Sequence, residues 1–307
     1  MLPMKAGPMF YFFRVSILVL AFLSSRGHAA ISVRDDAGHS VVLQTPALRV
    51  ISMAPHVTEL LFAAGGGEHI VGAMNFSDFP PAAKSLPLIG SNNQIDIERV
   101  IALQPDLLIV WQSGNTTRQI EQLKRLGVPI FFSEPRKLDD VALSLIRFGH
   151  MLGTAKTAQA AALAYRQKLA ALAATYGGRP LVRVFYQVWD KPLYTLNGQH
   201  IVSDAIRLCG GENIFGALTV LAPSVSVEAV LAANPEVIFG GDQHDLADAG
   251  INLWKPYRSL LAVQHANLFT VNGELLARAG PRMAEGVTAL CEKLEIARRR
   301  RHLSHTN

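Results

Sequence analysis

The residues that could do chemistry in this 307-residue chain are scattered, and their spacing argues against catalysis. A serine hydrolase needs a GxSxG turn to present its nucleophile. A zinc protease needs an HExxH helix to put two imidazoles on one face, and a nucleotide hydrolase needs a GxxxxGK[ST] loop to cradle phosphates. None of these strings occurs. The ten histidines are dispersed, and no three or four histidines and carboxylates are grouped as free zinc or manganese would require. The densest polar cluster is Asp242, His244, Asp245 and Asp248 in GGDQHDLAD. It matches no calcium-loop spacing and reads as a solvated loop after a strand. Glycines 65–67 sit where a helix would end, so they read as a cap. The residues therefore nominate no catalytic group, and an exported enzyme stays only as a competing class.

Two glutamates do recur in matched surroundings. DIERVIALQPDLLIVW, from Asp96 to Trp111, is echoed by SVEAVLAANPEVIFGG, from Ser226 to Gly241, with one constant offset. Glu98 maps to Glu228, Ala102 to Ala232, Pro105 to Pro235 and Asp106 to Glu236. In each copy a capping residue, Asp96 or Ser226, opens a short apolar-periodic helix, a proline closes it, and an apolar strand follows. LLIV and EVIF lack alternation, as strands covered on both faces do. Duplication predicts two lobes of like topology.

Further strand–helix units surround both copies. Arg49 to Ala54 is a strand leading into a helix from His56 to Ala64, and Val128 to Glu134 is a strand before a helix from Leu138 to Leu152. In the second half, Leu181 to Trp189 is a strand, Ser203 to Leu208 a helix, Leu268 to Asn272 a strand and Pro281 to Ile296 the closing helix. This alternation predicts an α/β fold with mainly parallel sheets. Thr154 to Tyr176 carries no Gly or Pro and many alanines, the best helix in the chain. At about 1.5 Å per residue it spans roughly 35 Å, enough to run along both lobes and limit hinge motion. The expected division is a leader over 1–30, an N-terminal lobe over 31–153, a connecting helix over 154–177, a C-terminal lobe over 178–297 and a basic tail over 298–307.

Lys5 and Arg14 precede the apolar run VSILVLAFLSS, which is too short to span a bilayer, and small residues at Gly27, Ala29 and Ala30 supply a cleavage site. The leader reads as a secretory signal peptide, with an uncleaved anchor the alternative, and the mature chain begins near Ala30 or Ile31 outside the cytoplasm. Cys209 and Cys291 form an even pair in such a chain. That favours a disulfide over two buried thiols, at a chain-entropy stabilisation of roughly 4 to 5 kcal/mol. The formal charge of +5 is positional: without Lys5, Arg14, Arg26 and the run Arg298 to Arg301 it becomes −2. With 17% charged and 50% hydrophobic residues, against roughly a quarter charged in average soluble domains, nothing suggests a nucleic-acid partner. The arginine run reads as a solvated tail, with attraction to anionic lipid a lesser alternative.

Taken in order, RVISMAPHVTELLFAAG, VGAMNFSDFPP, IERVIALQPDLLIVWQSGN, CGGENIF, VSVEAVLAANP and ARAGPR resemble the periplasmic substrate-binding proteins of the iron-chelate and vitamin B12 class, and within it the vitamin B12-binding members. The resemblance covers nearly all of the mature chain. It implies two α/β lobes, a long connecting helix, a cleft between the lobes and a disulfide at Cys209 and Cys291. It also implies a monomer that catalyses nothing and hands a corrinoid to an ABC permease dimer with its ATPase subunits in the inner membrane. Glu98 and Glu228 take the permease-docking positions. His56, Phe76, Trp111, Tyr194, Glu274 and Arg278 take ligand-facing positions, and Trp189 lies beside the cleft strand. Asn92 and Ala222 stand where those relatives present tryptophan. That departure keeps ferric siderophores and haem as alternative ligands, with Tyr194, Tyr186 or His56 as axial groups for haem. A sensor partner that never meets a permease is a further alternative.

Overall fold

A computed structural model of the protein describes residues 30–242 and 250–304. The leader and the cluster at His244, Asp245 and Asp248 lie outside the described residues. A hairpin of β1 (Ile31–Arg34) and β2 (Ser40–Leu43) precedes the first lobe. Its sheet comprises β3 (Val50–Met53), β4 (Ile70–Ala73), β5 (Leu107–Trp111) and β6 (Ile130–Ser133), all parallel, in the order β4-β3-β5-β6. Helices α1 (Pro55–Ala63), α2 (Ile97–Ala102), α3 (Thr117–Lys124) and α4 (Leu138–Leu152) connect and cover it. Leu107 to Val110 are all buried, as expected for a strand with helices on both faces.

The long helix α5 (Ala155–Tyr176) leads into the second lobe. There β7 (Val182–Gln187), a short hairpin of β8 (Trp189–Asp190) and β9 (Leu193–Tyr194), and β10 (Gly211–Asn213) precede β11 (Val237–Asp242) and β12 (Leu268–Asn272). The parallel sheet runs β10-β7-β11-β12, so β5 and β11 occupy equivalent places. The helices here are α6 (Ile201–Leu208), α7 (Val227–Ala233), α8 (Leu261–Gln264), α9 (Gly273–Ala277) and α10 (Met283–Ser304). The predicted two-lobed α/β fold with a connecting helix is the observed one. Among the described residues no helix is long and apolar enough to cross a membrane.

The repeat holds down to individual bonds. Asp96 caps α2 by accepting from the Arg99 N–H at 2.9 Å, and Ser226 caps α7 by accepting from the Ala229 N–H at 3.2 Å. Each helix stops on a residue in the left-handed region, Gln104 at φ 46° and Asn234 at φ 44°, just before the proline. The freed carbonyls then need donors. Arg49 donates to Leu103 O and Gln104 O, and Arg183 donates to Ala233 O and Asn234 O. Asp106 in turn accepts from the Leu48 and Arg49 N–H groups, as Glu236 does from Arg183 N–H.

Along α5, Ala158, Ala162, Tyr165 and Leu169 fall on one buried stripe. The helix packs on α4 and α1 of one lobe and on α6 and α10 of the other. Gly149 lets α4 and α5 approach closely, since a Cβ there would lie 2.2 Å from the Ala158 Cβ. The bidentate pair of Arg166 with Asp139, at 2.6 and 2.8 Å, joins the same two helices. One apolar cluster runs from Val50, Leu107 and Phe131 through Phe148 and Tyr165 to Val184, Phe239 and Leu290. The lobes therefore share a core.

Two expectations are corrected. The closing helix does not end at Ile296, and residues 298–304 are not a solvated tail: α10 continues to Ser304. Arg298, only 3% exposed, donates to Pro180 O, Cys209 O and Gly210 O, beside the Cys209–Cys291 disulfide. Arg300 donates to Ala266 O, and Arg301 donates to Leu181 O and pairs with Glu236. Arg298, Arg300 and Arg301 are donors for carbonyls that strand and helix ends leave over, while Arg299 is exposed. The strand expected to reach Trp189 stops at Gln187, and Trp189 belongs to the β8–β9 hairpin.

The interlobe cleft

Parallel α/β sheets present their ligand sites beyond the carboxyl ends of the strands. Here β3 runs into His56, β5 ends on Trp111, and β6 leads to Glu134, Pro135 and Arg136. These residues meet His200, Ile201, Leu221, Ala277 and Ala279 of the second lobe around an interlobe hollow of about 50 Å³. A second hollow, of about 180 Å³, lies beside it under Phe76, Asn92 and Met74, and Trp111 walls both. Each is below the roughly 300 to 1,000 Å³ usual for an enclosed ligand. A broad ligand would therefore lie across the mouth with its face on the aromatics.

Phe76 is 77% exposed and sits at φ 66°, a backbone region that large side chains avoid. The turn is held by the Asn75 N–H donating to Gly90 O and the Ser77 N–H donating to Met74 O. An apolar ring is thus held in solvent by strained backbone. Trp111 rests on Gly114, where a Cβ would fall 1.9 Å from indole Cε3, so only glycine allows this ring position. His56 meets the indole edge-on at 5.5 Å and 82°.

His56 is 5% exposed, and its Nε2 has no hydrogen-bond partner. Burial, aided by the nearby Arg278 charge, pushes its pKa down to about 4, so the ring is neutral at neutral pH. His200, which the sequence reading passed over, caps α6: its Nδ1 accepts from the Val202 N–H at 3.2 Å. Burial likewise lowers His200 to about 4. A histidine just ahead of the apolar-periodic segment IVSDAIRL was the available signal.

Arg278 and Glu274 line neither hollow and instead close one flank of the cleft. Glu59 of α1, 3% exposed, accepts both Arg282 Nε at 3.0 Å and Arg282 Nη2 at 2.6 Å. Arg278 donates to Asp78 at 2.5 Å, to Glu59 at 3.4 Å and to Glu274 at 3.3 Å. Burial would raise the Asp78 carboxyl, but the hydrogen bond and charge of Arg278 hold it below its ordinary value. The Arg282 guanidinium also lies 3.9 Å over the Phe79 ring. Glu59, Asp78 and Phe79 belong to one lobe and the arginines to the other, so this is an ionic strut across the cleft.

Tyr194 is cross-strand partner to Trp189 at the second-lobe edge, both half-exposed and outside the two hollows. Ala222 is exposed next to Leu221 of the hollow, and Tyr186 is buried within β7 of the second sheet. Glu98 and Glu228 are exposed at the first turns of α2 and α7. Bonds from its own N–H and from the Ser226 hydroxyl hold the Glu228 carboxyl below its usual value. Glu98 borders the same surface as Asn75 and Ser91, which also wall the hollow under Phe76.

Two α/β lobes face each other across the cleft, and residues 50–275 match the periplasmic binding protein family model. The chain belongs to that family. Within it, the chain is 36% identical over 257 residues to the vitamin B12-binding protein of Vibrio parahaemolyticus, covering 83% of this chain and 92% of that one. The crystal structure of the periplasmic vitamin B12 binding protein BtuF of Vibrio cholerae superposes with a TM-score of 0.76 at 36% identity, over 82% of this chain and 98% of that one. The periplasmic heme-binding protein RhuT from Roseiflexus gives 0.70 at 25% identity, over 81% and 98%.

Proposed function

We propose that this chain is an exported, non-catalytic binding protein that captures a corrinoid between its lobes and delivers it to the permease of an ABC importer. The observation that carries the reading is the aromatic pair at the cleft, exposed Phe76 on strained backbone and half-buried Trp111 on Gly114. Flat aromatic faces suit a broad, largely apolar macrocycle, and the relatives named for vitamin B12 favour a corrin over a haem. Tyr194 and Trp189 extend the platform from the second lobe, and His56 and Asn92 supply polar contacts. Ala222 and Asn92 leave more open space than tryptophan would. Arg278 and Glu274 act first as the strut and touch the ligand only at its edge.

Delivery needs a way to meet the permease. Exposed carboxylates at equivalent helix starts, Glu98 and Glu228, suit a partner with two-fold symmetry whose basic groups fix orientation. Residues 1–30 act as the cleaved export signal, which places the mature chain, a monomer, in the periplasm. The shared core and the ionic strut keep loaded and free forms close in shape.

Calorimetric titration of the purified protein with cyanocobalamin, haemin and a ferric siderophore tests the ligand. One-to-one corrinoid binding tighter than the other two is expected. Preference for haemin or the siderophore would replace the corrinoid with an iron chelate.

A further inference from the structure

The interlobe hollow holds hydrogen-bonding capacity that the described residues leave unspent. The exposed Arg136 guanidinium, with five donors, has no side-chain partner, although the backbone N–H of this residue donates to Asp140. Glu134 accepts from the Ser113 N–H at 2.8 Å and the Ser113 hydroxyl at 3.0 Å. A carboxylate has about four lone-pair sites, so two are left. His200 uses Nδ1 as an acceptor, which in the neutral ring puts the proton on Nε2 and makes that atom a donor. His56 adds a buried, unpartnered Nε2. All four residues wall one space, with His56, Glu134 and Arg136 on one lobe and His200 on the other.

This set is mixed in a particular way. One cation and one anion line it, both imidazoles are neutral, and donors and acceptors are present together. A ligand carboxylate would satisfy Arg136 but would bring a second negative charge beside Glu134. A hydrocarbon would leave all of it unpaired, at the cost of burying polar groups. A primary carboxamide, with one acceptor oxygen and two N–H donors, answers Arg136, His200 and Glu134 together.

We propose that this hollow reads a neutral primary carboxamide on the ligand rim and discriminates against a carboxylate in the same place. The amide oxygen accepts from Arg136 and from His200 Nε2–H, and the amide nitrogen donates to Glu134. The inference rests on the corrinoid reading and sharpens it: corrin rims carry carboxamides, whereas haem rims carry carboxylates. It makes Glu134, Arg136 and His200 specificity residues alongside the aromatic platform.

The test uses cyanocobalamin and its three propionamide-derived monocarboxylic acids, titrated into the full-length mature protein and into Glu134→Gln and Arg136→Gln. In the unsubstituted protein one monoacid should bind about tenfold more weakly than cyanocobalamin. Glu134→Gln, which can keep both Ser113 bonds, should shrink that gap to about threefold or less, and Arg136→Gln should widen it. Unchanged melting temperatures would show that both variants fold. The inference is overturned if all three monoacids bind within about twofold of cyanocobalamin, or if the gap ignores Glu134→Gln. A monoacid that binds more tightly would mean that the hollow reads charge through Arg136, which also overturns it. If cyanocobalamin itself fails to bind, the corrinoid reading falls and takes this one with it. A flat monoacid series with intact cyanocobalamin binding removes this inference alone.

Discussion

At the helical end, the first repeat copy, Asp96 to Trp111, and the second, Ser226 to Gly241, are nearly interchangeable. Both have a capped first turn with an exposed glutamate, a left-handed stop, a proline, and an arginine that gathers the loose carbonyls. At the strand end they differ. Trp111 stands where the second copy has Gly241, so the second lobe carries no ring at the equivalent strand end. A duplicated fold has thus stayed symmetric where it would face a two-fold permease and diverged where it would face an asymmetric ligand. Helix start and strand end lie at the same edge of the first sheet, so the difference teaches that neighbouring positions of one strand–helix unit can stay matched or diverge separately.

The strongest way to break this comparison is at the symmetric end. Glu98→Ala combined with Glu228→Ala should lower importer-dependent uptake about a hundredfold and leave ligand affinity unchanged; each single change should give a similar, smaller loss of about tenfold. Uptake assays in which one glutamate carries the whole effect would show that the copies are not equivalent in docking. At the divergent end, Trp111→Ala should weaken ligand binding by about 30-fold or more with little change in melting temperature. Gly114→Ala should weaken it by about tenfold and also destabilise the first lobe by about 1 to 2 kcal/mol, because the new methyl must displace the indole.

The smallest effect concerns the histidine that each lobe brings to the cleft. Both are held at about 4, below the ordinary 6.5, so the unfolded chain takes up these protons first as pH falls. Their contribution to stability is complete above pH 6.5 and is lost between pH 6.5 and about 4, at no more than about 1.4 kcal/mol per pH unit for each ring. His200→Asn, which keeps a good helix cap, should remove one share of that slope in denaturant melts across pH. An unchanged slope would mean that His200 is not held neutral in the fold.

What the sequence revealed follows from the range of the forces involved. The repeat, the strands β5 and β11 and the helix α5 are written in local periodicity and caps, and they were legible. The disulfide was legible because two cysteines leave one pairing. The ionic strut was not: Glu59 meets Arg278 and Arg282 across 219 and 223 residues, and no local pattern marks such a pair. The Arg298 to Arg301 run misled for the same reason, since its partners are carbonyls whose lack of donors only the fold creates. Among the aromatics of the cleft, Trp111 stood at a strand end and could be seen, whereas the exposure of Phe76 depends on a turn that its own sequence does not favour.

The apolar cluster that runs through α4 and α5 belongs to neither lobe alone. Neither half can lose its packing without stripping the other, so heat should melt this two-lobed molecule in one cooperative step, with calorimetric and van't Hoff enthalpies that agree. Native-state hydrogen exchange should accordingly find its slowest amides along the seam between the lobes, with the cleft-facing strand ends opening first.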